Sequence, residues 1–160
     1  METTIRPIKA GDNKTIATII RQTLTEFGAN KPGTVFYDES TDHLFELFRE
    51  EGSVYLIAEM DGQIVGGGGI YPTKGLPAKT AELVKMYLLP EARGIGLGKQ
   101  LMEEAIAEAK KMGYENLYLE TMPELKKAIR AYEKAGFTYL EKAVGNSCHT
   151  GCDIWMQKAI

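Results

Sequence analysis

Arg93-Gly94-Ile95-Gly96-Leu97-Gly98 is the stretch whose residue types and spacing point most directly to chemistry. Alternating glycines let the main chain approach a ligand closely and adopt angles that a β-carbon forbids. The hydrophobic pattern changes period across this stretch. Leu83 to Leu89 is a short apolar run stopped by Pro90, which predicts a strand. Beyond it, Leu101, Met102, Ala105, Ile106, Ala109 and Met112 recur at helical spacing, with Lys99, Gln100, Glu103, Glu104, Glu108 and Lys111 on the opposite face. The glycines therefore occupy a strand-to-helix turn. The first amides of the helix are unpaired there, and the positive end of its dipole favours an anion. The ligand that suits such a turn is a phosphate or pyrophosphate.

Two familiar phosphate cradles fail on spacing. A Walker loop needs Lys-Ser or Lys-Thr after its last glycine, to reach phosphate oxygens and magnesium, but Gly98 is followed by Lys99-Gln100. A dinucleotide fingerprint needs Gly-x-Gly-x-x-Gly near the start of its unit and an acid about 20 residues on. Here the glycines fall at 94, 96 and 98, past the middle of the chain.

Arg93 to Gly98, with the strand before it and Pro90-Glu91, resembles the signature of the GNAT superfamily of N-acetyltransferases. Ala131-Tyr132-Glu133-Lys134-Ala135-Gly136-Phe137 is similar to a later motif of that family, and Asp61 to Gly66 to its central hairpin. All three stand in the family's order and together span most of the chain. The resemblance implies a mixed, strongly twisted α/β sheet of about seven strands with helices on both faces. It implies transfer of an acetyl group from acetyl-coenzyme A to a primary amine by direct attack. A non-catalytic acyl-coenzyme A sensor and a nucleotide-binding module are the alternative readings.

The resemblance also assigns roles. The amides from Arg93 through Gly94, Ile95, Gly96, Leu97 and Gly98 to Lys99 would hold the pyrophosphate, with Arg93 adding positive charge. The main chain of Met86 and Leu88 would pair with the pantetheine as a mimic strand. Glu82, at the start of the central strand, would take the amine's proton; Glu120 and Glu59 are weaker alternatives. An ammonium near pKa 10.4 and a carboxylate near 4.3 are badly matched, so this needs burial to move one or both. Tyr132 would donate to the leaving thiolate, although its place on an apolar helical stripe suits a core tyrosine equally well. Leu125 stands where many relatives carry an asparagine.

These residues need a frame. Thr4 to Ile8 is expected as a short first strand, with Pro7 placing it near an edge or a strand end. Asp12 or Asn13 then starts a helix with Ile16, Ile19, Ile20, Leu24 and Phe27 as its buried stripe. After a loop, a second helix is expected from Thr41 or Asp42 to Gly52. Ser53 to Met60 reads as a central strand, and Asp61-Gly62 as a hairpin turn. The return strand holds four successive glycines, Gly66 to Gly69, which call for a bulge or a close neighbour such as an acceptor channel. Further strands are expected at 116–120, 137–140 and 153–157. The fifth joins its predecessor in parallel through the long helix. A helix with Pro123 in its first turn and an apolar stripe of Leu125, Ala128, Ile129, Tyr132 and Ala135 lies between them.

The chain of 160 residues is 44% hydrophobic and 26% charged, which suits a single acetyltransferase domain over 1–160. Its formal net charge of −3 argues against a nucleic-acid-binding surface and leans towards amine ligands. No apolar run is long enough for a membrane span and no signal peptide is legible, so a cytoplasmic location is expected. The acceptor is expected to be a small-molecule or peptide amine, and a homodimer is an allowed assembly. Cys148 and Cys152 would stand about 13 Å apart on one extended strand, too far for a disulfide, though a loop would lift that objection. With His149 and His43 they suggest zinc, but a second tight Cys or His pair is missing and no metal is expected.

Overall fold

The computed structural model describes residues 1–147 and 149–160, so Cys148 and any pairing of it lie outside the described residues. The strands are β1 (Thr3–Pro7), β2 (Val54–Met60), β3 (Gln63–Tyr71), β4 (Thr80–Leu88), β5 (Asn116–Thr121), β6 (Thr138–Leu140) and β7 (Ile154–Ala159). The helices are α1 (Asn13–Glu26), α2 (Leu44–Leu47), α3 (Leu97–Lys111) and α4 (Lys126–Lys134). One mixed, twisted sheet of seven strands runs in the order β1-β2-β3-β4-β5-β7-β6, with β1 at one edge as its proline requires. Only the β4–β5 pair is parallel; the other neighbours run antiparallel. This is the expected fold.

Side chains alternate across a strand, and here the alternation feeds two cores. Leu56 and Ala58 of β2 and Leu83 of β4 pack with Leu101 and Ala105 of α3. Tyr55, Ile57 and Val84 point the other way, towards Ile16, Ile20 and Leu24 of α1. The sheet is therefore buried on both faces, with α1 on one and α3 on the other. Each fully buried Leu or Ile of these stripes stabilises the fold by about 1.5–3 kcal/mol.

The hairpin between β2 and β3 turns through Asp61 (φ 50°) and Gly62 (φ 81°), both in the left-handed region that suits the twist of the flanking strands. Asp12 does not cap α1 with its side chain. It reaches back instead, accepting the amide of Lys9 at 2.7 Å and pairing with both terminal nitrogens of Arg6 at 2.8 and 3.0 Å. The second helix is far shorter than its apolar pattern suggests. Glu39–His43 winds as a tighter 3₁₀ turn, and regular helix is confined to Leu44–Leu47. Pro123 does not enter α4, which begins at Lys126, after Leu125. Among the described residues no helix is long and apolar enough to cross a membrane.

Candidate active site

The site is built around an irregularity in β4. Gly67 opposes Tyr87 and Gly69 opposes Val84, so Gly68 faces both Lys85 and Met86. Lys85 takes up the extra residue with φ 52°, a conformation unusual for a side chain of its size. Its carbonyl accepts the hydroxyl of fully buried Tyr55 at 2.8 Å. The glycine run of β3 is what allows this packing. A β-carbon at Gly67 or Gly69 would lie 2.6 or 2.7 Å from the Tyr55 ring, and one at Gly68 would lie 2.7 Å from the end of Met86. None of the four glycines lines the cavity, so the run serves the bulge and its close neighbours and not a channel wall.

Parallel pairing of β4 with β5 lasts for three residues, Thr80 to Glu82 against Asn116 to Tyr118. Beyond Glu82 the strands part, and β4 keeps a partner only in β3. A cavity of about 920 Å³ opens in the gap, lined by Met86 and Leu88 among others. That volume suits a sizeable organic ligand.

At one side of the cavity stand Gly94, Gly96, Gly98 and Lys99. Gly94 (φ 76°) and Gly96 (φ 86°) make the turn, and no side chain caps α3. The first intrahelical bond runs from the amide of Gln100 to the carbonyl of Gly96 at 3.0 Å, leaving the amides of Leu97, Gly98 and Lys99 open to a ligand. Ile95 is exposed on the turn, and the Leu97 side chain is buried in the core. Arg93 also lines the cavity, with its guanidinium already partnered. Its Nε donates to the Leu88 carbonyl at 2.9 Å, its terminal nitrogens meet both oxygens of Glu26 at 2.7 and 2.9 Å, and its guanidinium lies 4.9 Å from the Phe27 ring centre. Free cationic groups come instead from α4, whose Lys127, Arg130 and Lys134 line the same cavity. Their spacing of three and four residues marks one helical face, a signal that the sequence carries.

Deeper in, Glu82 is 3% exposed and accepts the Thr73 hydroxyl at 2.6 Å. Burial, reinforced by the charge of Glu120, pushes its pKa up to about 7. Glu120 accepts the hydroxyls of Tyr118, at 2.6 Å, and of Ser147. His149 sits beside it, with Nδ1 3.9 Å from Glu120 and Nε2 2.6 Å from Asp38. Lys85 also faces Asp38, at 3.9 Å, and burial lowers its pKa. Glu82, Glu120 and His149 each bring one ligand atom within 4.8 Å of the others, a set that a small cation could share. His43 is exposed elsewhere, and Glu59 pairs with Arg6 at 3.3 Å near the edge of the sheet. Neither lines the cavity.

Tyr132 of α4 is buried, stacks edge-on against Phe137 at 5.8 Å, and lines the cavity. Among the described residues its hydroxyl has no hydrogen-bond partner, and burial pushes its pKa up to about 12. Cys152 also lines the cavity, with its thiol pushed up to about 12 by burial. The site thus presents a turn with open amides, a buried carboxyl group whose pKa is pushed up to about 7, and a phenol free to donate.

Residues 17–137 match the acetyltransferase (GNAT) family. The chain is 40% identical over 158 residues to YjgM of Escherichia coli (strain K12), an uncharacterized N-acetyltransferase, covering 98% of this chain and 94% of that protein. In structure it is similar to an acetyltransferase of the GNAT family from Staphylococcus aureus Mu50, with a TM-score of 0.87, 16% identity and 99% of both chains covered. It also resembles YncA of Salmonella typhimurium, a putative acetyltransferase seen with its cofactor acetyl-CoA, at a TM-score of 0.78 and 22% identity, over 99% of this chain and 94% of that one. The chain belongs to the GNAT family. It is an N-acetyltransferase.

Proposed function

We propose that the chain transfers acetyl from acetyl-coenzyme A to a primary amine by direct attack within a ternary complex. The observation that carries this reading is the convergence of the uncapped α3 turn, Glu82 and Tyr132 on one cavity. The amides of Leu97 to Lys99 hold the pyrophosphate, and Lys127, Arg130 and Lys134 supply positive charge around it. The guanidinium of Arg93, held by Glu26, ties the end of β4 to α1. Where β5 leaves β4, Met86 and Leu88 border the gap in which the pantetheine would lie as a further strand, their main chain pairing with it beside the Leu88 carbonyl's bond from Arg93 Nε.

The amine nitrogen attacks the thioester carbonyl carbon. Glu82 accepts the proton that the nitrogen loses, and a carboxyl group with a pKa of about 7 does this far better than one at 4.5. The carbon–sulfur bond then breaks and its electron pair goes to sulfur. Tyr132, at about 12, is too weak an acid to give its proton away fully to a thiolate of ordinary basicity. It acts as a hydrogen-bond donor while charge develops on sulfur. An acetyl-cysteine intermediate is disfavoured, because burial keeps Cys152 protonated.

Initial-rate kinetics with acetyl-coenzyme A and an amine test the reading. Intersecting double-reciprocal lines are expected, with no acetyl retained by protein incubated with the cofactor alone. Parallel lines with acetyl found on Cys152 would replace direct attack by a two-step transfer.

A further inference from the structure

Glu82 and Glu120 are two buried carboxylates without a strong cation. Glu82 is 3% exposed and so is the side chain of Glu120. Among the described residues neither forms an ion pair with a lysine or arginine, and the donors they do have are the neutral hydroxyls of Thr73, Tyr118 and Ser147. One oxygen of Glu82, Oε2, receives no hydrogen bond from the described residues, although the side chain faces the cavity. Buried carboxylates are normally paired or hydrogen-bonded on every side. Glu82 Oε2 is therefore open to a donor that enters through the cavity.

Lys85, the buried lysine beside these acids, faces Asp38 at 3.9 Å, and Asp38 also faces His149 at 2.6 Å. Three carboxylates thus face one lysine and one histidine.

We propose that the acceptor is a primary amine without a carboxylate on its amine-bearing carbon, gripped as an ammonium between Glu82 and Glu120, and that Glu120 sets this preference. The inference rests on the acetyl transfer proposed above. Before its proton is lost, the ammonium supplies Glu82 Oε2 with its missing donor and lies against the charge of Glu120. An α-amino acid would bring a second negative charge to within a bond or two of that nitrogen. It would then lie against Glu82 and Glu120, which no lysine or arginine pairs among the described residues, and like charges brought together in a buried site reject a ligand.

The test compares valinamide with valine, and 2-phenylethylamine with phenylalanine, at saturating acetyl-coenzyme A. Rates are expressed per free amine, with EDTA present so that no divalent metal ion occupies the same three atoms. Valinamide and valine share their branching, so their ratio isolates the charge. The uncharged acceptor is expected to exceed its amino acid about 10²-fold in kcat/KM. Glu120→Gln should narrow that ratio at least about tenfold, chiefly by raising KM for the amine, with acetyl-coenzyme A binding retained. Amino acids used as well as the amines would overturn the proposal and leave acetyl transfer standing, as would an unchanged ratio in a folded Glu120→Gln protein. If that variant does not fold, the wild-type ratios decide. Failure to acetylate any amine, with acetyl-coenzyme A bound, would remove the transfer reading and this inference with it.

Discussion

The Tyr55 hydroxyl donates to the Lys85 carbonyl at 2.8 Å and pins the bulge of β4 from within the core. This one bond joins the interior of β2 to the strand that carries Glu82, Met86 and Leu88. Tyr55 is buried against Gly67 and Gly69, so the ring itself has no alternative position.

Tyr55→Phe keeps the ring and removes the pin. The Lys85 carbonyl then lacks its donor in a buried setting, which costs about 1–3 kcal/mol. Denaturant unfolding should show that loss, and kcat should fall while the affinity for the pyrophosphate end of coenzyme A holds. Unchanged stability and rate would mean that the bulge is fixed by packing alone.

Glu82→Gln separates burial from titration. In the folded protein Glu82 takes up its proton at about 7, against an ordinary value of 4.5, because burial opposes its charge. An acid with a raised pKa contributes stability that is complete below 4.5 and is lost as pH rises through 7. The neutral glutamine has no such loss. The variant should therefore melt higher than the wild type at pH 8 but not at pH 4.5, by an amount on the order of 3 kcal/mol. Wild-type kcat/KM should rise through pH 7 as the base is freed, and the variant should lack that inflection. Parallel melting curves across this range would show that Glu82 is charged throughout.

Tyr132→Phe preserves the edge-on contact with Phe137 and nearly all the buried area, so stability should change little. Single-turnover acetylation should slow by about 10²-fold, the lower range for a positioned acid. Cofactor titration should give nearly the wild-type affinity, since the donor matters chiefly as charge develops on sulfur. A wild-type chemical rate would assign the hydrogen bond to the leaving sulfur to another group or to water.

Gly96→Val tests the turn before α3. At φ 86° a β-branched residue is strained by about 1–3 kcal/mol, and its side chain would project over the open amides. Coenzyme A at 100 times its dissociation constant should stabilise the wild type by about 2.7 kcal/mol, with ATP giving less. The variant, shown to be folded, should lose the coenzyme A effect. An equal gain from ATP and coenzyme A would remove the pyrophosphate-plus-pantetheine reading.

The parts of the fold that were legible in the sequence are those governed by local period. The continuous apolar run at 54–58 and the helical apolar spacing over 97–112 gave β2 and α3 their type and nearly their ends. The second helix failed because Glu39 to His43 is polar and wound as a tighter turn, which an apolar pattern starting at Leu44 cannot reveal. The carboxylate cluster was not legible as a group. Asp38, Glu82, Glu120 and His149 are brought together by sheet order and two loops, and nothing in their separate surroundings marks them as neighbours. Arg93 illustrates the opposite limit. A cation beside a glycine turn suggests phosphate, but its partner Glu26 lies 67 residues away, at the end of α1.

Two antiparallel leaves, β1 to β4 on one side and β5 with β7 and β6 on the other, are stitched together by three residue pairs, like the covers of a book at its spine. Glu82 is the last stitch on one cover, and Glu120 lies two residues past the last stitch on the other. The separation of the two carboxylates therefore follows the opening angle of the book. A pantetheine lying between the covers would wedge that angle before any amine arrives, so the cation grip would be shaped by the coenzyme. Ordered binding, coenzyme first and amine second, is the outcome this arrangement predicts. Amide exchange along the free edge of β4 should slow when the coenzyme is added, and should respond little to an amine added alone.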